Sequence, residues 1–379
     1  MDRVKIVVDK TIPFIEGVFE PYADVVYLPG RETTAEVVRD ADAIITRTRT
    51  RCNAELLAGS SVKVIATATI GFDHIDTQWC EANGIIWRNA PGCNSWSVKQ
   101  YIASLLVVLC QKHGLRFEDV TLGIVGVGNV GRKVADAARA MGMKVLLNDP
   151  PRARAEGPDG FVSLDEIIRD SDIVTVHVPL SREGEDATWH LFDETMLARL
   201  GRHQILVNAS RGPVVDNGAL KAALKAGSLR GAVLDTWEGE PDLDPELVEL
   251  LDITTAHIAG YSADGKANGT VASVHTVAEV LGLPLTDWAP ESIPAPEQAL
   301  DFTIDAAGRS RQEVLSEAIL HTYDVRYDSD QLRAHLDSFE KLRGDYQIRR
   351  EFTAFTLHLQ NASDDIAEAL KELGFKIIN

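Results

Sequence analysis

Leu122-Gly123-Ile124-Val125-Gly126-Val127-Gly128-Asn129-Val130-Gly131 is the stretch that decides how this chain folds. A short apolar run meets three glycines at G-x-G-x-x-G spacing and continues into the helix-like Asn129 to Met141. Such a strand, turn and helix N-terminus make a dinucleotide site. The first glycine turns the chain, the second lets the backbone approach a pyrophosphate, and the third lets the helix pack closely on the strand. Gly126, Gly128 and Gly131 take those roles in order. The next strand, Lys144 to Asn148, ends in Asp149, 18 residues beyond Gly131. A carboxylate there accepts hydrogen bonds from both ribose hydroxyls and repels a 2′-phosphate, which favours NAD over NADP. The plainer reading is a structural glycine turn, and the strand, helix and acid in their required places weigh against it.

The motif begins a third of the way into 379 residues, so a folded unit precedes it. Apolar strands at Val4 to Val8, Val25 to Leu28, Ala43 to Thr46, Val62 to Ala66 and Ile85 to Trp87 alternate with amphipathic stretches, the pattern of parallel βαβ units. After Pro91-Gly92, with Asn94 or Ser95 as a cap, Val98 to Lys112 reads as a long helix leaving this first domain. Beyond the glycine motif, strands recur at Ile173 to Val176, Ile205 to Asn208, Ala232 to Leu234 and Ile253 to Thr255, a second doubly wound sheet. Asp264 to Leu281 reads as helix again. Pro284, Pro290, Pro294 and Pro296 then mark a linker, and Glu313 to His321, Glu351 to Leu359 and Asp364 to Leu373 mix helix and strand in a third unit.

The expected fold is α/β: two doubly wound, Rossmann-like parallel sheets with a cleft between them, plus a small C-terminal α+β domain. Residues 1–95 with 258–285 would form a flavodoxin-like substrate domain, 96–257 the NAD domain, and 286–379 the last. A formal charge of −19 disfavours nucleic acid and anionic membrane surfaces as partners. The start, MDRVKIVVDK, lacks the continuous apolar core of a signal peptide, and the longest apolar run, Ile102 to Cys110, is about half a membrane span. Four cysteines without CxxC spacing read as reduced thiols, so a cytoplasmic protein without a metal site is expected.

Ligands of open parallel sheets collect at the carboxyl ends of strands. Three residues stand there on the second sheet: Arg211 after ILVNAS, Glu240 after AVLDTW, and His257 closing ITTAH. Together they provide what oxidation of a 2-hydroxy acid requires. Arginine holds a carboxylate bidentately and stays charged. Histidine, with an unperturbed pKa of about 6.5, takes the hydroxyl proton, and a hydrogen-bonded carboxylate orients the ring and favours its charged form. Each has a plainer reading: Arg211 as counter-charge to Asp216 or as a helix cap, Glu240 as a turn acid before Pro241, and His257 as one of ten histidines.

The motifs GIVGVGNVG, HVPL, NASRGPVVD, LDTWEGEP and HIAGY resemble, in order and spacing, the D-isomer-specific 2-hydroxyacid dehydrogenases over roughly residues 1–285. ATATIGFDHID, APGCN, DPPR, HIAGYSADGKANGT, YDVRYDSD and FEKLRGDYQIRREF extend the resemblance to one branch of that family and to the whole chain. It implies NAD-dependent oxidation of 4-phospho-D-erythronate to its 2-oxo acid, a step toward pyridoxal phosphate, by a cytoplasmic homodimer joined through the C-terminal domain.

By the same resemblance Arg211, Glu240 and His257 are catalytic. Asn129, Val130, Asp149, Val178, Ala209, Ser210, Arg211, Asp235 and Gly260 would contact NAD, and Thr48, Thr69 and Tyr261 the substrate. Val178 departs from relatives that often carry a hydroxyl there, which leaves only its backbone to bond. Asp235 as a turn cap and Tyr261 as core packing are the plainer alternatives. A phosphorylated substrate also needs a counter-charge. Arg47, Arg49 and Arg51 alternate after AIIT and would share a face if extended, with Arg47 the phosphate contact; Arg349 and Arg350 are further candidates, and a solvated basic edge weighs equally. Competing functions are another dehydrogenase of the family, such as one acting on 3-phosphoglycerate, and a nonenzymatic NADH-responsive regulator.

Overall fold

The computed structural model describes residues 3–378. They fall into two compact units, one running to Asn94 and resuming over Ser262–Pro294, the other comprising Ser95–Tyr261 and the segment from Ala295 onward.

In the first unit, β1 (Val4–Asp9), β2 (Ala23–Leu28), β3 (Ala43–Thr46), β4 (Val64–Thr67) and β5 (Ile86–Arg88) form a parallel sheet in the order β2-β1-β3-β4-β5. The central strands are buried along their whole length because both faces are covered. Ile45 and Ala66 enter one apolar cluster and their neighbours Ile44 and Ile65 the other, as a two-residue side-chain period requires. The returning helix Ala263–Leu281 supplies Val274, Val277 and Ala278 to the first of these clusters. Gly269 lets it approach closely, since a Cβ there would lie 2.5 Å from the Ala68 carbonyl oxygen.

The second unit repeats the plan with β6 (Thr121–Val125), β7 (Lys144–Asn148), β8 (Ile173–Val176), β9 (Ile205–Asn208), β10 (Gly231–Leu234) and β11 (Ile253–Thr254), all parallel, in the order β11-β10-β9-β8-β6-β7. The chain runs outward from β6 to β7 and then crosses to β8 on the other flank. The strand order therefore reverses at β6 and β8, whose carboxyl ends open the crevice where such sheets bind ligands.

The last segment adds β12 (Asp301–Asp305), β13 (Thr356–Gln360) and β14 (Lys376–Ile378), again parallel, in chain order. The sequence set this segment apart at 286 behind its prolines. Contacts instead join it to the second unit, because one apolar core runs from Val98–Cys110 through Leu122 and Ile124 to Val314, Ile319, Leu370 and Phe375. The helix Ser95–His113 is consequently buried on nearly every side, and its polar residues find partners in the C-terminal segment. Ser97 donates to Glu351, Lys99 to the Glu372 carbonyl, Gln100 to Thr322 and the Arg350 carbonyl, and Ser104 accepts from the Val325 N–H. Among the described residues no helix is long and apolar enough to cross a membrane.

Candidate active site

The glycine turn has the geometry its sequence requires. Gly126 adopts φ +88°, and a Cβ there would lie 2.5 Å from the His177 carbonyl oxygen, so the turn also needs glycine for the close approach of the HVPL loop. Gly131 seats the helix Asn129–Met141 on the turn: its missing Cβ would stand 2.0 Å from the Gly126 carbonyl oxygen. Gly128 differs. It caps that helix, and a Cβ added to it meets nothing within 4 Å, so the space before the helix N-terminus is open, as an approaching pyrophosphate requires.

Asp149 stands at the end of β7. Its Oδ2 accepts from the Val127 N–H at 2.8 Å and its Oδ1 from the Arg152 N–H at 3.1 Å, which fixes the carboxylate beside the glycine turn. Arg152 in turn donates to the Val127 carbonyl and pairs with Glu156. Across the turn, burial pushes the His177 imidazole down to about 3, so it is neutral, and its Nδ1 is buried with no protein partner. The Val178 side chain packs into the apolar cluster under the sheet, which leaves its backbone for polar contact.

Three loops at the strand ends carry the proposed catalytic set. After β9, the Asn208 side chain accepts from the Ser210 N–H and hydroxyl and donates to the Arg211 carbonyl, winding Ala209 to Arg211 into a fixed turn. Gly212 then lies against the second loop, where a Cβ would sit 1.9 Å from the Trp237 carbonyl oxygen. In that second loop the Trp237 N–H donates to Glu240 at 2.9 Å, and its indole N–H donates to the Thr255 carbonyl of the third. In the third, Asp235 accepts from the Thr255 hydroxyl and the N–H groups of Ile258 and Ala259, bracketing His257. Asp235 is thus a clamp on the histidine loop, a part its sequence position alone did not reveal.

His257 Nδ1 lies 2.9 and 3.2 Å from the two Glu240 oxygens. Burial alone would raise the Glu240 pKa, but the hydrogen bond and charge of His257 and the Trp237 N–H outweigh it and hold the carboxyl below its usual range. An ionised carboxylate only accepts, so Nδ1 carries a proton toward Glu240, and whenever the ring is neutral Nε2 is the nitrogen with the lone pair. The histidine side chain is about a third exposed.

The arrangement is that of an imidazole held by a carboxylate on strand-end loops of the sheet that also carries the glycine turn. An erythronate-4-phosphate dehydrogenase of Bacteroides fragilis is 50% identical over 355 residues, covering 93% of this chain and 99% of its own. The chain belongs to the erythronate-4-phosphate dehydrogenases, within the D-isomer-specific 2-hydroxyacid dehydrogenase family. Another enzyme of that name, from Klebsiella pneumoniae, is 42% identical over 379 residues and 99% of both chains. The family profile described as "D-isomer specific 2-hydroxyacid dehydrogenase, NAD binding domain" matches residues 98–259, and a "Domain of unknown function (DUF3410)" matches 296–374. The D-lactate dehydrogenase of Aquifex aeolicus, solved with NAD and lactic acid, superposes with a TM-score of 0.62 at 25% identity, over 77% of this chain and all of its own. As in its family, NAD is the cofactor of this dehydrogenase.

Of the remaining expected positions in this family member, Arg47, Thr48 and Thr69 belong to the first unit. Bends at Thr48 to Thr50 break the extended run that would have aligned Arg47, Arg49 and Arg51 on one face. Arg47 follows β3 beside the end of β1, at the point where the strand order of that sheet reverses, and its guanidinium reaches the Thr11 carbonyl at 3.4 Å. Thr69 donates to the Gly71 carbonyl, with Thr67 2.8 Å away. Arg349 is not a surface anion site, because it is buried against backbone carbonyls and tyrosine rings. Sequence reasoning missed Arg343, which donates to the Tyr261 hydroxyl at 3.2 Å and adds to the positive potential that keeps Glu240 ionised. Its only signal was the basic and aromatic run of residues 339–352.

The Asp149 geometry makes a cofactor prediction. Asp149→Ala should shift the ratio of kcat/KM for NAD over NADP downward by about tenfold or more, the size of one charged hydrogen-bonding group. An unchanged ratio would leave Asp149 only as the cap of the following helix.

Proposed function

We propose that this chain oxidises 4-phospho-D-erythronate at C2 to (R)-3-hydroxy-2-oxo-4-phosphooxybutanoate, a step in the synthesis of pyridoxal 5′-phosphate, working as a cytoplasmic homodimer joined through its C-terminal segment. The observation that carries the reading is the His257–Glu240 pair at 2.9 Å, which in the neutral ring makes Nε2 the basic nitrogen. NAD, when bound, supplies the hydride acceptor.

His257 Nε2 takes the C2 hydroxyl proton, and the Glu240 carboxylate stabilises the imidazolium that results. Arg211 holds the substrate carboxylate through its planar fork and polarises the forming carbonyl. Arg47 binds the phosphate, and Thr48, Thr69 and Tyr261 contact the substrate. The amide groups of Asn129, Val130, Val178 and Ala209 to Arg211, with Gly260 and Asp149, hold the dinucleotide.

The test is NAD reduction with 4-phospho-D-erythronate beside 3-phosphoglycerate and unphosphorylated erythronate. Activity selective for the first is expected. Preference for 3-phosphoglycerate would move the chain to another branch of the family, and absence of turnover with all three would favour an NADH-responsive regulator. Arg47→Ala should raise KM for the phosphorylated acid by roughly tenfold, the loss of one charge-assisted contact, and leave KM for unphosphorylated erythronate unchanged. Equal KM values before and after the change would remove Arg47 from the phosphate site.

A further inference from the structure

Arg349 is 2% exposed, the guanidinium buried deepest of those near the catalytic loops. Its Nη2 donates to the carbonyl of Ala259 at 2.6 Å and to that of Ile258 at 3.3 Å, the two residues after His257. Its plane lies over the Tyr323 ring, 4.5 Å from the centroid, and beside Tyr346. Both tyrosine hydroxyls donate at 2.7 Å to Asp328, which supplies the nearby negative charge together with Asp235.

The same two residues are thereby gripped twice. Asp235 takes the N–H groups of Ile258 and Ala259, and Arg349 takes their carbonyls. Between this grip and the end of β11 stands His257, with φ +56°, in the left-handed region that a side chain with a Cβ rarely enters. A backbone held there relaxes unless its surroundings fix it. Relaxation would swing the imidazole off Glu240. A buried cation is costly, and an apolar residue would fill the same space at less expense, so packing alone does not account for an arginine here. What the cation adds is the hold on two carbonyls.

We propose that Arg349 is a positioning residue for the reaction, fixing the left-handed turn that keeps His257 Nδ1 on Glu240. The assignment rests on His257 being the proton carrier. It also gives the C-terminal segment a part in catalysis within its own chain.

A double-mutant cycle on the full-length, NAD-loaded enzyme tests this, with kcat, NADH dissociation constant and thermal midpoint measured for each variant. Arg349→Met should lower kcat by about tenfold, as a small displacement of a reacting group does, with NADH affinity within about twofold of the parent. Arg349→Lys, which keeps a charged donor of shorter reach, should fall between the two. In a His257→Ala background, Arg349→Met should cause no further loss, because the arginine acts only through the imidazole. A further loss of the full size in that background, or a kcat within twofold of the parent for the single variant, overturns the proposal. So does a parallel fall in kcat and NADH affinity, the mark of a merely structural role. Should Arg349→Met not fold, Arg349→Lys passes through the same cycle under the same criteria. Undiminished turnover of the His257→Ala single variant would instead overturn the proton-carrier reading, and that result is read without any change at Arg349.

Discussion

His257→Ala is expected to lower kcat by about 10² to 10⁴, or roughly 3 to 5 kcal/mol of transition-state stabilisation, while the dissociation constant for NADH stays near that of the parent. The size follows from what a positioned general base contributes. The selectivity follows from the structure, because the imidazole reaches Glu240 through Nδ1 whereas the glycine turn and Asp149 are built on other strands. Pre-steady-state measurement separates the chemical step from product release, and the loss should lie in the chemical step. Turnover within a few-fold of the parent would eliminate His257 as the base. A matching loss of NADH affinity would mean that the substitution collapsed the loop that Asp235 and Arg349 hold.

Much of this arrangement was legible in the chain itself, for a physical reason. Buried parallel strands have to be nearly continuous apolar runs, so β3, β8 and β9 could be read with their observed bounds, as could the half-buried edge strand β7 and the helix Asn129–Met141. Glycines that a close approach demands announce themselves by spacing. That Arg211, Glu240 and His257 lie in loops after strands was legible because the strands themselves were, and the doubly wound sheet makes that edge the place to propose a site. What the sequence hid were contacts made across long separations. Asp235 reads as an NAD contact by resemblance or, more plainly, as a turn cap, and only the fold shows its carboxylate closing on the Ile258 and Ala259 N–H groups. Val98 to Lys112 reads as a long helix, but nothing in its spacing shows that its Ser, Lys and Gln residues are buried, and only the C-terminal segment explains why they are. Arg349 looked like a surface cation because a basic pair beside acidic residues has no periodicity to betray burial. The Arg47 to Arg51 alternation misled in the opposite way, since a period of two has meaning only where the backbone is extended.

The three motif glycines should separate under alanine substitution into two kinds of failure. Gly131→Ala places a Cβ 2.0 Å from the Gly126 carbonyl oxygen, and neither partner is a flexible side-chain end that could move aside. The helix must shift off the turn, at a cost of about 1 to 3 kcal/mol or more, so the thermal midpoint of the unliganded protein should fall by about 2 to 6 °C. Gly128→Ala meets no protein atom within 4 Å and keeps φ at −75°, which alanine adopts freely, so the midpoint of the unliganded protein should move by less than about 2 °C. Its methyl would fill the open space in which the proposed site seats the pyrophosphate. NADH affinity should therefore fall by about 10²-fold, the same steric cost now appearing in binding rather than in folding. Calorimetric unfolding of the two variants without cofactor, followed by NADH titration, measures both quantities. Unchanged NADH affinity in Gly128→Ala would place the pyrophosphate elsewhere. A midpoint unchanged in Gly131→Ala would mean that the helix tolerates displacement from the turn, and the tight seating of helix on strand would then lose its claim to hold the cofactor site in shape.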